Sequence, residues 1–170
     1  FGLIFGNPGG GKSWSLVALG AHAVRLGYNV IHYTLELGEE YVGKRYDAYF
    51  TKVPVNQDSM LKERAQEVVP QLTGKLVIKE VEGMGMKADL VIIDYVDLLS
   101  SRKKNRERKE EIDDIYGSTK GLARELDIPI WSVSQVNRAG SNDDIIEGDK
   151  AAGSYDKLMI TDFCMSLSRK

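Results

Sequence analysis

Within eight residues, Gly6-Asn7-Pro8-Gly9-Gly10-Gly11-Lys12-Ser13, the chain sets glycines, a lysine and a hydroxyl at the spacing G-x-x-x-x-G-K-[ST]. Glycines at these places let a backbone curl its N–H groups around an anion without Cβ clashes. A lysine there can reach the β- and γ-phosphates, and the following hydroxyl can ligate Mg²⁺. The flanks agree: Phe1 to Phe5 is an apolar run, and Trp14 to Leu26 is a long apolar-rich segment. Strand, glycine loop and helix is the setting this chemistry needs, because a helix N-terminus offers unpaired N–H groups and a positive dipole end. Residues Gly6, Asn7, Pro8, Gly9, Gly10, Gly11, Lys12, Ser13 and Trp14 are therefore the candidate site for ATP, with Mg²⁺ held at Ser13.

A second carboxylate-bearing motif supplies the rest of the metal site. Leu90-Val91-Ile92-Ile93-Asp94 is an apolar strand ending in an acid, the Walker B pattern, and Asp94 can hold Mg²⁺ opposite Ser13. The next residue is Tyr95, where many ATPases place the glutamate that activates water. Hydrolysis then needs a carboxylate from elsewhere. Glu36, closing the run Asn29 to Leu35, is the candidate, with Asp97 as the alternative. A helix first-turn acid is the other reading of Glu36. Gln135 closes the run Ile128 to Ser134, and its amide can donate to a γ-phosphate and accept from a water. An ordinary loop-entry residue is the other reading. Arg138 either contacts a phosphate, of nucleotide or of nucleic acid, or is solvated.

Elements that position these groups can be read from patterning. Helices are expected from Gly38 to about Lys52, from about Asp58 to Val69, and up to Leu126. The last of these carries Ile112, Ile115, Tyr116, Thr119, Leu122, Ala123 and Leu126 on one face. Strands are expected at Asn29–Leu35, Lys75–Val81, Leu90–Asp94, Ile128–Ser134 and Lys157–Leu167. The helix after the glycine loop reads as apolar on nearly every face, and its His22 as an ordinary helix residue. Strands alternating with helices predict an α/β fold with a mostly parallel twisted sheet flanked by helices. Ligands then sit at the carboxyl ends of the strands. Strand Leu90–Asp94 is expected beside Lys75–Val81, yet the intervening residues are too few for a helical crossover. A segment missing between about 81 and 88 is the expected reason. One domain spanning residues 1–170, cut at both ends and belonging to a larger protein, is the expected organisation.

Bulk properties narrow the partners. The 170 residues carry a formal net charge of -2, so nucleic-acid contact must come from a local patch or a ring of subunits. The basic run Arg102, Lys103, Lys104, Arg106, Arg108, Lys109 is one such patch, a solvated surface loop being the alternative. The single cysteine, Cys164, reads as a small core residue in a reducing compartment. No apolar run approaches the roughly 18 residues of a membrane span, and cytoplasm is the expected location.

Taken in order, Thr34-Leu35-Glu36-Leu37, Val91-Ile92-Ile93-Asp94-Tyr95-Val96-Asp97-Leu98-Leu99 and Ser134-Gln135-Val136-Asn137-Arg138 resemble three motifs of the DnaB-type hexameric replicative helicases, SLEM, hhIDYLQLM and SQLNR. The resemblance implies a RecA-like P-loop ATPase domain and a helicase motor translocating on single-stranded DNA. It implies Glu36 as catalytic base, with Lys12 and Gln135 beside it, Gln135 being the switch between γ-phosphate and DNA-binding loop. It also implies a homo-oligomeric ring, a hexamer with an arginine finger in trans, and a primase or loader as further partner. Two features depart from the family. The expected loop Asn137–Ser154 carries Asp143, Asp144, Glu147 and Asp149, leaving Arg138, Lys150 and Lys157 for phosphates. No K-x-R-x-G strand is present to supply the finger, so the chain alone is expected to hydrolyse ATP poorly. A RecA- or Rad51-like recombinase ATPase, or a nucleotide-binding accessory protein without motor activity, are the alternatives.

Overall fold

The structure is a computed structural model that describes residues 1–79, 87–100, 108–135 and 156–168. It comprises two compact units, one formed by Phe1–Lys12 with Tyr95–Lys170 and the other by Ser13–Asp94.

In the first unit, β1 (Gly2–Gly6) is buried along its whole length, as an apolar strand with neighbours on both sides must be. It pairs in parallel with β5 (Ile130–Gln135) on one side and β6 (Phe163–Leu167) on the other. Gly2 is in register with both Trp131 and Phe163, whose rings meet edge-on at 5.6 Å. The indole lies over Gly2 so closely that a Cβ there would come within 2.5 Å of it, which is why this strand position has no side chain. Helix α4 (Arg108–Leu126) buries Ile112, Ile115, Tyr116, Thr119 and Ala123, the expected stripe. Leu122 and Leu126, assigned to the same face, are instead exposed. The helix closes at Asp127, whose φ of 52° ends the helical path before Ile128-Pro129.

The expected strand Lys157–Leu167 is two elements. A short helix, α5 (Asp156–Ile160), comes first and β6 follows. Thr161 ends the helix: its N–H bonds the Lys157 carbonyl at 3.3 Å and its hydroxyl donates to the Leu158 carbonyl at 3.0 Å. Among the described residues β6 pairs only with β1, and Phe163, Cys164 and Met165 are exposed. Cys164 is therefore not the core residue its apolar neighbours suggested.

In the second unit β2 (Val30–Thr34) is central, parallel to β3 (Leu76–Lys79) on one side and β4 (Leu90–Asp94) on the other. Thus β4 lies next to β2 rather than β3. The burial agrees: β4 is buried at all positions, while β3 is half-buried throughout, as suits an outer strand. Helix α1 (Lys12–Arg25) buries Leu16, Val17, Gly20, Ala21 and Val24 and exposes Trp14 and His22, and Leu26 just beyond it is exposed too. Its apolar face is narrower than the composition implied, and His22 is an exposed helix residue. Helix α2 (Glu39–Thr51) buries Val42, Tyr46 and Phe50, and α3 (Asp58–Val68) buries Leu61. At Gly20, α1, α2 and β4 meet: a Cβ would lie 2.3 Å from the Tyr46 hydroxyl and 2.9 Å from Ile92 Cδ1. The Tyr46 hydroxyl is 2.9 Å from His32 Nδ1 in the interior. Burial, with the Arg45 charge nearby, pulls His32 down to about 4, so it is neutral near pH 7. The expected missing segment falls largely on residues 80–86, outside the described residues.

Candidate nucleotide site

The loop between β1 and α1 turns where Gly10 N–H bonds the Asn7 carbonyl at 3.0 Å. Gly9 (φ 71°) and Gly11 (φ 91°) take left-handed backbone, which side chains resist, and a Cβ on either would meet no atom within 4 Å. Gly9 and Gly11 thus serve backbone direction rather than close packing. Lys12 opens α1 and is buried, its Nζ donating to the carbonyls of Gly6 at 3.0 Å and Asn7 at 2.8 Å. Its ammonium is held directly at the loop. Gln135 is in register with Gly6, so the amide stands at the level where the loop leaves β1.

Ser13 and Trp14 belong to the first turn of α1, in the second unit with Glu36 and Asp94. Asp94, 1% exposed, is the last residue of β4 and pairs in register with Thr34 of β2. Leu35 N–H bonds the Asp94 carbonyl at 2.8 Å, so the two strand ends stay joined one residue further on. Glu36 follows directly and is exposed. Its turn is fixed by Thr34, whose hydroxyl donates to the Leu37 carbonyl and accepts from Leu37 N–H at 3.3 Å. Helix α2 starts only at Glu39, so Glu36 precedes the helix; Glu39 and Glu40 occupy its first turn. Trp14 stacks with the Arg45 guanidinium, 5.2 Å from its ring centre, and Tyr41 faces the same cation at 4.9 Å.

In the first unit the loop, with its left-handed glycines and lysine, fits a triphosphate; in the second, the buried carboxylate that ends β4 fits Mg²⁺. Among the described residues no group of three or more His, Cys, Asp or Glu forms a metal cage. A Mg²⁺ carried by a triphosphate would need no such cage, because one or two protein oxygens suffice beside phosphate and water.

Asp97, the alternative water-activating acid, is occupied otherwise. It lies in a 3-10 turn, Val96–Leu98, and its carboxylate accepts from Lys157 Nζ at 2.9 and 3.0 Å and from the Ser134 hydroxyl at 3.0 Å. Lys157, with its side chain 1% exposed, also donates to Ser134 Oγ at 3.0 Å and sits 5.1 Å from the Tyr116 ring centre. Burial lowers its affinity for a proton, with Asp97 opposing. Lys157 is therefore a buried ion-pair partner and cannot serve as the phosphate contact its position in the chain suggested. The Asp97–Lys157 pairing spans sixty residues of sequence and leaves no local signal.

Of the basic run, Arg108 and Lys109 are described. Arg108 bonds Glu111 on its own helix at 2.7 Å and the Asp97 carbonyl at 2.6 Å. Arg102, Lys103, Lys104, Arg106, Arg138, Lys150 and the acidic loop lie outside the described residues.

A left-handed glycine loop between a buried parallel strand and a helix is the setting that a nucleoside-triphosphate-binding P-loop requires. Residues 60–144, half of the chain, match the family model "DnaB-like helicase C terminal domain", and the chain belongs to that family. It is 37% identical over 70 residues to replicative DNA helicase DnaB of Helicobacter pylori (strain J99 / ATCC 700824), a stretch covering 41% of this chain and 14% of that protein. Over 71 residues it is 38% identical to the Mycobacterium intracellulare DnaB, covering 41% of this chain and 12% of the relative. The matched stretches thus span a small part of these relatives' length. Among solved structures, a DnaB-like replicative helicase, described with its interactions with primase, superposes with a TM-score of 0.84 at 20% identity, over 100% of this chain and 47% of that one. A second solved structure, an ATPase domain, gives 0.83 at 20% identity, over 99% of this chain and 69% of that one. The α/β fold expected from the strand and helix order, and the RecA-like architecture that the resemblance implied, are borne out.

Proposed function

We propose that this domain is the ATP-hydrolysing motor of a DnaB-like replicative helicase that travels on single-stranded DNA. The observation that carries the reading is the pair of strand ends at Thr34–Asp94, from which Glu36 follows two residues on, while Asp97 is paired with Lys157. Family membership and the shared fold support the same reading.

Each residue then has a task. The loop N–H groups and Lys12 bind the phosphates and favour charge on the γ-phosphate. Ser13 and Asp94 would hold Mg²⁺, which would supply charge neutralisation to the triphosphate. Glu36 accepts the proton of the attacking water, and its exposure gives that water access. Gln135, level with the loop, contacts the γ-phosphate and passes its presence or absence to the residues that follow. The domain works as part of a homo-oligomeric ring, a hexamer, with an arginine finger supplied in trans and a primase or loader as partner.

The decisive experiment is Glu36→Gln in the full-length protein. ATP turnover should fall by about 10²–10⁴-fold while ATP binding survives. Near-normal turnover sinks the assignment. Negative-stain electron microscopy with ATP and single-stranded DNA should show closed rings; helical filaments would favour a recombinase.

A further inference from the structure

Three polar side chains from separate elements close a triangle in the first unit, buried at Lys157 and Ser134 and half-buried at Asp97. Lys157 Nζ, on α5, donates to Asp97 at 2.9 and 3.0 Å and to Ser134 Oγ at 3.0 Å, and Ser134 donates in turn to Asp97 at 3.0 Å. The Tyr116 ring of α4 backs the ammonium at 5.1 Å, and the Val96 N–H is tied to the β5 hydroxyl of Ser132 at 3.0 Å. A hydroxyl that accepts from an ammonium and donates to a carboxylate has its rotor fixed, and Ser134 is fixed in that way. Its neighbour in the chain is Gln135, in register with Gly6 at the start of the phosphate loop. Residues 136–155 separate β5 from α5 along the chain, so one ammonium ties the end of β5 to the start of α5.

The geometry points to Lys157 as a positioning residue for Gln135: by gripping Asp97 and Ser134 together it fixes the end of β5 from which Gln135 acts. This rests on the motor reading for its effect on turnover, though the clamp itself does not. A loss of placement of about an ångström in a reacting assembly costs on the order of 10²-fold in rate. Bulk stability alone would not confine its effect to that step.

The test compares the full-length protein with Lys157→Met and with the double variant Asp97→Leu/Lys157→Met, in which an apolar pair replaces the buried ions. Replacing both partners is often neutral for folding, whereas removing one leaves an uncompensated buried charge. The double variant should therefore recover the melting temperature. In both variants kcat for ATP with oligo-dT should fall by about 10- to 100-fold with KM for Mg-ATP within about twofold. Amide hydrogen exchange in the 130–135 peptide should quicken while the 2–6 peptide is unchanged. Wild-type kcat in the folded double variant, or unchanged exchange at 130–135, overturns the proposal. If the wild-type protein shows no DNA-stimulated hydrolysis, the motor reading fails, and the exchange measurement still decides the clamp.

Discussion

The ammonium of Lys12 is held by two loop carbonyls, Gly6 and Asn7, so substitution removes both the charge proposed to meet the phosphates and two hydrogen bonds inside the loop. Lys12→Met should weaken ATP binding as well as turnover, measured by titration with a fluorescent ATP analogue; unchanged affinity would mean that the loop N–H groups alone carry the binding. Asp97 makes the contrasting case. Its carboxylate already accepts three hydrogen bonds from Lys157 and Ser134, so loss of Lys157 strands a half-buried charge. At this scale the places of the glycine loop, Asp94 and Glu36 in the fold were legible because each sits at a fixed local offset from a strand end. The role of Lys157 was not, because spacing between residues sixty apart says nothing about contact.

Elements record packing that no single residue reveals. Gly20 is the place where α1 passes over Tyr46 and Ile92, and an added methyl would overlap both. Gly20→Ala should therefore lower stability by about 1–3 kcal/mol, despite alanine's better helix propensity, as read from the denaturant midpoint. In the same unit, His32 contributes a pH dependence. Between its ordinary 6.5 and its folded value of about 4, the unfolded chain binds a proton that the folded chain refuses. Stability should then fall as pH drops through that window and level off below it, by up to about 3 kcal/mol. Urea titrations at pH 7 and pH 4 should show that loss, and His32→Gln should lack that contribution. Sequence patterning found α1, α2, α3, α4 and the strands to within a few residues, because helical and strand periods are local. It merged α5 with β6 because Lys157–Leu167 is apolar at both periods, and the Thr161 bonds that separate them are visible only in three dimensions. It also put β4 beside β3, since order along the chain does not specify order across a sheet.

For the whole molecule, the proposed motor is a shared one, and the prediction follows from assembly. ATP hydrolysis per subunit should rise steeply with protein concentration across the range in which rings form, by about 10³–10⁵-fold if an arginine arrives from the neighbour. Sizing chromatography with light scattering run beside the ATPase assay would check it; turnover independent of concentration in a dissociating sample would count against a finger in trans. No helix among the described residues is long and apolar enough to cross a membrane.

The outward-facing thiol of Cys164 has a practical consequence. It is the only cysteine in these 170 residues, it is exposed on β6, and its strand neighbour is Leu3, three residues before the phosphate loop begins. A maleimide dye or nitroxide attached there would therefore mark one defined point per copy of this domain without any engineered mutation. In a closed ring built from this 170-residue domain, those points would repeat at equal spacing, so a single labelling reaction could count subunits by photobleaching steps and measure their separation by pulsed spin resonance.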